Sequence, residues 1–391
     1  MKSRHVLWVL LLGFVGGCED LAGTGEVRHY TAVATGGGHS CAVAESGEAY
    51  CWGANRYGQL ANGGASDQFS PSRVSGDIRF ADITAGELHT CALDVDGAAY
   101  CWGWGWLYQL GNGTQYGMYG PASVAGDMRF TQLSAGAYHT CGLGTDRQVY
   151  CWGHNNWGQV GNGTLEDVPT PVPVGEFQAI SVSAGGWHTC AVAEGGQTYC
   201  WGRNDSGQLG IETIDPIQAL TPMQVRTNVR FRTVEAGDTH TCGISMQGMA
   251  YCWGSATYGE LGDQQIWKDG LVGASVPVPV FLLPAVKEIS AGKNHTCAID
   301  TTGLGYCWGR NEEGQLGNGR TANASVRQVI HVSPTARLTG DLFHFTKIAS
   351  GGTTHACGLV EGSVFCWGTG NTGSLGAGSS TYSTLPQRIS E

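Results

Sequence analysis

Charge, lysine and long apolar runs are what this 391-residue chain has least of. Only 14% of its residues are charged and five are lysine, which excludes an architecture of long solvated helices laced with ion pairs. The formal net charge of −11 excludes a protein that grips nucleic acid through its phosphates. After the N-terminal region no segment offers eighteen uninterrupted apolar residues, so no later helix should span a bilayer. The nearest approach, 276–286, is broken by Pro277, Pro279 and Pro284. Nucleophile elbows, His-Glu-x-x-His and phosphate loops followed by lysine are absent, so the expectation is a non-enzymatic chain with no cofactor and no metal. What abounds is glycine, with 63 residues, and cysteine, with an odd 15. Frequent turns and repeated units suit such a chain better than one large core.

The odd cysteine lies near the start. Lys2, Arg4 and His5 precede an apolar stretch, 6–15, too short to cross a membrane but suited to an export signal over residues 1–17. The stretch ends in Val15-Gly16-Gly17-Cys18, which resembles the bacterial lipobox, two tiny residues before a cysteine that is diacylated and becomes the mature N-terminus. That resemblance implies contact with the lipid bilayer through Cys18 alone and a place at the bacterial cell envelope, facing periplasm or exterior. The alternative is an ordinary signal peptide in which Cys18 is incidental. Residues 18–29 then form a tether with a reach of at most roughly 40 Å, and the folded domain runs over 30–391.

The other fourteen cysteines form seven close pairs: Cys41 with Cys51, Cys91 with Cys101, Cys141 with Cys151, Cys190 with Cys200, Cys242 with Cys252, Cys297 with Cys307, and Cys357 with Cys366. Successive first members are 50, 50, 49, 52, 55 and 60 residues apart, the mark of a repeated supersecondary unit. Each unit reads as a β-hairpin whose three-residue loop usually ends in glycine: Gly47, Gly97, Gly196, Gly248 or Gly303. Arg147 takes that position in the third unit and predicts strain or a different turn. Counting outward from Ala44:Glu48 places Cys41 opposite Cys51. The two-residue turn Glu361-Gly362 of the seventh unit places Cys357 opposite Cys366. At such a non-hydrogen-bonded pair the Cα atoms approach to roughly 4.5 Å, so the register predicts seven cross-strand disulfides.

A histidine precedes each first cysteine by two residues: His39, His89, His139, His188, His240, His295 and His355. Zinc sites more often show closely spaced Cys-x₂₋₄-Cys pairs, so these imidazoles are expected to hydrogen-bond within their blades. Trp52, Trp102, Trp152, Trp201, Trp253, Trp308 and Trp367 follow the second cysteines and are expected to fill the space between neighbouring sheets. The x-Pro-x-x-Val element, as at 71–74, supplies further strands and suggests four per unit. Four-stranded units repeated seven times fit an all-β, seven-bladed β-propeller with antiparallel blades. The first unit starts near Tyr30 without such an element, while the seventh ends in a surplus Pro386-Gln387-Arg388-Ile389. The C-terminal strand is therefore expected to join the N-terminal blade and latch the ring.

The pattern Gly-x-x-His-x-Cys-Ala-Val, then Tyr-Cys-Trp-Gly-x-Asn-x-x-Gly-Gln-Leu-Gly, resembles the regulator of chromosome condensation repeat in its cysteine-rich bacterial form. The resemblance covers residues 30–391 and implies a seven-bladed propeller. It also implies a protein-binding platform, as in a related secreted propeller that inhibits β-lactamases. The nuclear nucleotide-exchange activity of the eukaryotic namesake is not carried over to an exported chain.

Function should lie where the units differ. The second reads Trp104-Gly105-Trp106-Leu107-Tyr108 where the others have a polar turn, and its neighbours carry Tyr57 and Trp157 there. Tyr138 and Trp187 stand just before the repeated histidine. Three uses are open for these rings: anchoring an envelope or extracellular protein, stacking on a glycan, or packing against adjacent loops. The first makes the chain a non-enzymatic scaffold and the second a glycan-binding or glycan-cleaving propeller. Scattered acids such as Asp67, Glu166, Asp167, Glu212 and Asp215 would have to supply the paired carboxylates of a hydrolase.

Overall fold

The computed structural model describes residues 28–264, 273–330, 343–352, 354–380 and 382–390. The expected export signal, Cys18 and nearly all of the expected tether fall outside the described residues. The rest is a ring of seven four-stranded antiparallel sheets. The blades occupy 30–73, 80–123, 130–174, 179–224, 231–279, 286–329 and 345–388. No described helix is long and apolar enough to cross a membrane.

In blade one the strands are Tyr30–Thr35, His39–Ala44, Ala49–Gly53 and Gln68–Arg73, running from the central channel outward. His39–Ala44 and Ala49–Gly53 are buried throughout, because both of their faces meet a neighbouring blade, whereas Gln68–Arg73 is largely solvated. The hairpin register places Cys41 opposite Cys51 and Val43 opposite Ala49. The same pairing recurs through Cys357 opposite Cys366. All seven disulfides are present, with Cα atoms 4.0 or 4.1 Å apart. Arg147 keeps the three-residue turn, with a φ of 63° that glycine holds elsewhere.

The seven hairpin tryptophans are fully buried between blades. An aromatic side chain buries on the order of 150–250 Å², worth about 4–6 kcal/mol before conformational costs. Gly53, next after Trp52, has a φ of 101°, and a Cβ there would come within 2.5 Å of the Gly38 carbonyl. The Trp-Gly step is thus a close approach between the second and third strands' ends, where only glycine fits.

Two expectations are corrected. The C-terminal strand does not complete the first blade: Ser383–Arg388 pairs with Ser363–Gly368 of its own blade, and blade one owns all four of its strands. The Pro-x-x-Val strand is the outermost strand of the hairpin that precedes it, so each blade is one contiguous stretch of chain. The ring closes instead by face-to-face packing of blade seven on blade one, where Leu359 and Ile389 share a cluster with Tyr50 and Trp52. The second correction concerns the histidines. Their bonds run between blades, as His39 Nε2 meets Thr90 Oγ1 at 2.8 Å and His139 Nε2 meets Thr189 Oγ1 at 2.8 Å.

Those bonds belong to a repeated joint. The Thr90 hydroxyl donates to the Gln59 carbonyl of the previous blade, and the Trp102 Nε1–H donates to the same oxygen. A hydroxyl whose hydrogen is used in this way must accept from the imidazole, which puts the proton on Nε2. The Gln-Leu-Gly turn, the tryptophan and the histidine are therefore one inter-blade clamp. Burial holds these imidazoles neutral, with pKa values near 3 for His39, His89, His139, His188 and His295 and near 4 for His240 and His355.

Candidate binding face

The ring has two unlike faces. On one lie the tight hairpin turns and the start of the described chain, where the Glu45 N–H bonds the His29 carbonyl and the Tyr30 N–H bonds the Gly362 carbonyl. On the other lie the short loops before each histidine and the longer turns after each Trp-Gly. These two loop sets are tied together: Trp104 N–H bonds the Leu88 carbonyl, and His154 N–H bonds the Tyr138 carbonyl. All seven aromatics singled out from the sequence fall on this loop face.

Four of them form one arc across four blades. The ring centroids of Tyr57 and Trp104 are 6.3 Å apart, those of Trp104 and Tyr138 5.4 Å, and those of Tyr138 and Trp187 5.5 Å. His154 extends the arc, 5.9 Å from Trp187. The other three stand apart from it. Trp157 lies beneath the Arg203 guanidinium at 5.1 Å. Trp106 stands outward, 59% exposed, beside the exposed Tyr116. Tyr108 is half-buried with a φ of 60°, where its counterparts in the neighbouring blades are Gly58 and Gly158 at 82° and 76°. A bulky residue held in that region costs on the order of 1–3 kcal/mol, and such outliers gather at binding sites.

The turns that carry the rings are built by the shared polar residues. Asn55 is fully buried; its side-chain amide donates to the Gly64 and Ser66 carbonyls while its Oδ1 accepts the Leu60 N–H. Asp67 accepts the Asn55 N–H, and Asp167 accepts from Asn155 N–H while bonded to His154 Nδ1. Glu212 sits against Arg226. The second blade has Gly105 where blade one has Asn55, and a Cβ there would come within 2.1 Å of the Tyr116 carbonyl. Its turn is thus rebuilt around aromatic side chains.

Sequence reasoning missed the charges at the channel mouth. Glu87 and Asp238 follow the glycines that end the innermost strands, and both line the central cavity of about 270 Å³ with Lys293. Burial pushes both carboxyls above their ordinary range, opposed by Lys293. Tyr138 is also pushed up, by burial first and then by Glu87 and Asp238. Deeper in, Glu235 is raised to about 8 by burial and by Glu288. The signal was present as a variable residue in the loop before each histidine, but a position that is Gly37, Glu87, Ala137, Gly186, Asp238 and Lys293 in the first six blades reads as loop variation until the ring brings them together.

A closed propeller, stapled by a disulfide inside every blade, is a repeat-built all-β ring. Its sequence matches the profile of the "Regulator of chromosome condensation (RCC1) repeat" at residues 46–93, 96–143, 146–192, 195–244, 247–299, 303–358 and 361–391, and the chain belongs to that family. It is similar to the X-linked retinitis pigmentosa GTPase regulator of Canis lupus familiaris, 29% identical over 156 residues, which is 40% of this chain and 15% of that protein. Among solved structures it is similar to human WBSCR16, with a TM-score of 0.75 at 22% identity over 85% of this chain and 87% of that one. Yeast RCC1 (Prp20), solved bound to Kap60, matches with a TM-score of 0.72 at 23% identity over 82% and 77% of the two chains. The chain thus spans a minor part of the curated relative and most of each solved ring.

Proposed function

We propose that this chain is an exported, lipid-anchored, non-enzymatic propeller that binds a protein of the cell envelope or exterior through its loop face. One observation carries the reading: the aromatic arc from Tyr57 to Trp187 and the start of the described chain lie on opposite faces. Arg28 sits over the Tyr50 ring at 4.6 Å on the hairpin face. An anchor at Cys18 therefore draws the hairpin face toward the bilayer and leaves the aromatic face free to meet a partner. Seven disulfides suit an oxidising compartment, and the yeast relative of the same fold, solved bound to Kap60, supports a protein as the kind of partner.

Two experiments test it. Affinity capture from envelope extracts should retain one defined protein with the unaltered chain and lose at least tenfold of it with the Trp104→Ala, Trp187→Ala double variant. Retention of polysaccharide alone would instead favour a glycan-binding or glycan-cleaving propeller. Mass spectrometry of the mature N-terminus should find a diacylated Cys18, and an unmodified cysteine rejects the anchor.

A further inference from the structure

The aromatic arc and the two mouth carboxylates make a joint demand that neither makes alone. Glu87 leans on the bare backbone of Gly37 in the preceding blade, where a Cβ would lie 2.9 Å from Glu87 Oε1. Asp238 leans on Gly186 in the same manner, so close that any Cβ there would collide with its Oδ1. Among the described residues neither carboxylate group has a hydrogen-bond donor within 3.5 Å or an ion-pair partner within 4.0 Å, although both line the channel beside Lys293. Tyr138, between Trp104 and Trp187, is close enough to both for their charges to act on its phenol.

The same face already shows how its rings are used. Arg56 lies over Tyr57 at 5.7 Å, Arg203 over Trp157 at 5.1 Å and Arg310 over Tyr258 at 5.7 Å. Trp104, Tyr138 and Trp187 carry no such cation among the described residues. Ring faces carry negative quadrupole potential, and partly desolvated carboxylates without partners add full charge of the same sign. The whole chain's net charge of −11 adds a general attraction for cations.

We infer that the channel mouth bounded by Trp104, Tyr138, Trp187, Glu87 and Asp238 receives an arginine or lysine side chain from a basic segment of the partner protein. This rests on the protein-binding reading above and adds the chemistry of the contact. The guanidinium or ammonium stacks on the arc and is neutralised by the two carboxylates, while Lys293 opposes it from the far side. Electrostatic complementarity of this kind sets partner choice and association rate.

The test uses the soluble folded chain and an amidated Gly/Ser peptide bearing two arginines, against the same peptide with citrulline in their place. Indole ¹⁵N–¹H shifts of Trp104 and Trp187 should move with the arginine peptide, weaken as salt rises, and stay still with citrulline. Glu87→Gln with Asp238→Asn should weaken binding at least fivefold, and Lys293→Met should strengthen it at least twofold; both replace partly exposed side chains with near-isosteres. Equal binding of the citrulline peptide, no binding of either, or indifference to the carboxylate variants overturns the inference. Captured envelope protein retained by the double carboxylate variant but lost by the tryptophan variant rejects this contact and leaves the scaffold reading standing.

Discussion

The Nε2–H of His355 donates to the hydroxyl of Ser40 at 2.9 Å, joining the last blade to the first. That hydroxyl in turn donates to the Ser374 carbonyl at 2.9 Å, which also accepts the Trp52 indole N–H. The seam between the chain's two ends thus uses the same clamp as five of the other six inter-blade joints.

Ser40→Ala removes a buried hydroxyl that serves two hydrogen bonds and leaves His355 without its acceptor. Each lost buried bond costs about 1 kcal/mol, with more for the orphaned imidazole. The expected loss is about 2–3 kcal/mol by urea unfolding. An unchanged midpoint would show that the seam is held by packing alone.

One joint lacks its hydroxyl. His295 Nε2 is buried with no hydrogen-bond partner among the described residues, because the next blade has Ala356 where the others have threonine or serine. Ala356→Thr supplies an acceptor for His295 and a donor for the Gln315 carbonyl, which already accepts the Trp367 indole. A gain of about 1 kcal/mol is expected, and a lower unfolding midpoint would mean that the joint between blades six and seven is spaced differently.

The seven clamp imidazoles make stability acid-sensitive. Their folded pKa values of about 3 to 4 lie below the unfolded value of about 6.5, so the unfolded chain binds more protons between these limits. Their contribution is fully present above pH 6.5 and is lost as pH falls toward 4, at up to about 1.4 kcal/mol per imidazole per pH unit. Thermal midpoints should therefore drop steeply from pH 7 to 5. A flat profile across that window contradicts neutral, proton-excluding clamps.

Tyr108 holds a left-handed backbone that glycine holds in blades one and three. Tyr108→Gly relieves that cost and should raise stability by about 1 kcal/mol while weakening partner capture. Lower stability together with unchanged capture would make Tyr108 a packing residue.

Each disulfide closes a short loop, with a sequence separation of 10 for Cys91–Cys101. Replacing both cysteines by alanine should cost about 2–3 kcal/mol. Thiol titration of the unfolded, unreduced domain should find none of the fourteen paired sulfhydryls, and fourteen reactive groups would refute the register.

The hairpins, their pairing, the buried tryptophans and the number of blades were legible because each follows from local spacing: a three-residue turn fixes which cysteines face each other, and a repeat near fifty residues fixes the count. Even the odd turn at Arg147 declared itself, since glycine is the residue that turn needs. The phase of the blades did not. Pro71 and Val74 belong with the hairpin before them, but strand spacing alone allows them to pair on either side, and the choice is made only when sheets stack. The histidine bonds, the aromatic arc and the Glu87–Asp238 mouth were hidden for the same reason. They join residues more than 30 positions apart, on different blades, whose distances depend on blade rotation around the ring, a quantity no single repeat encodes.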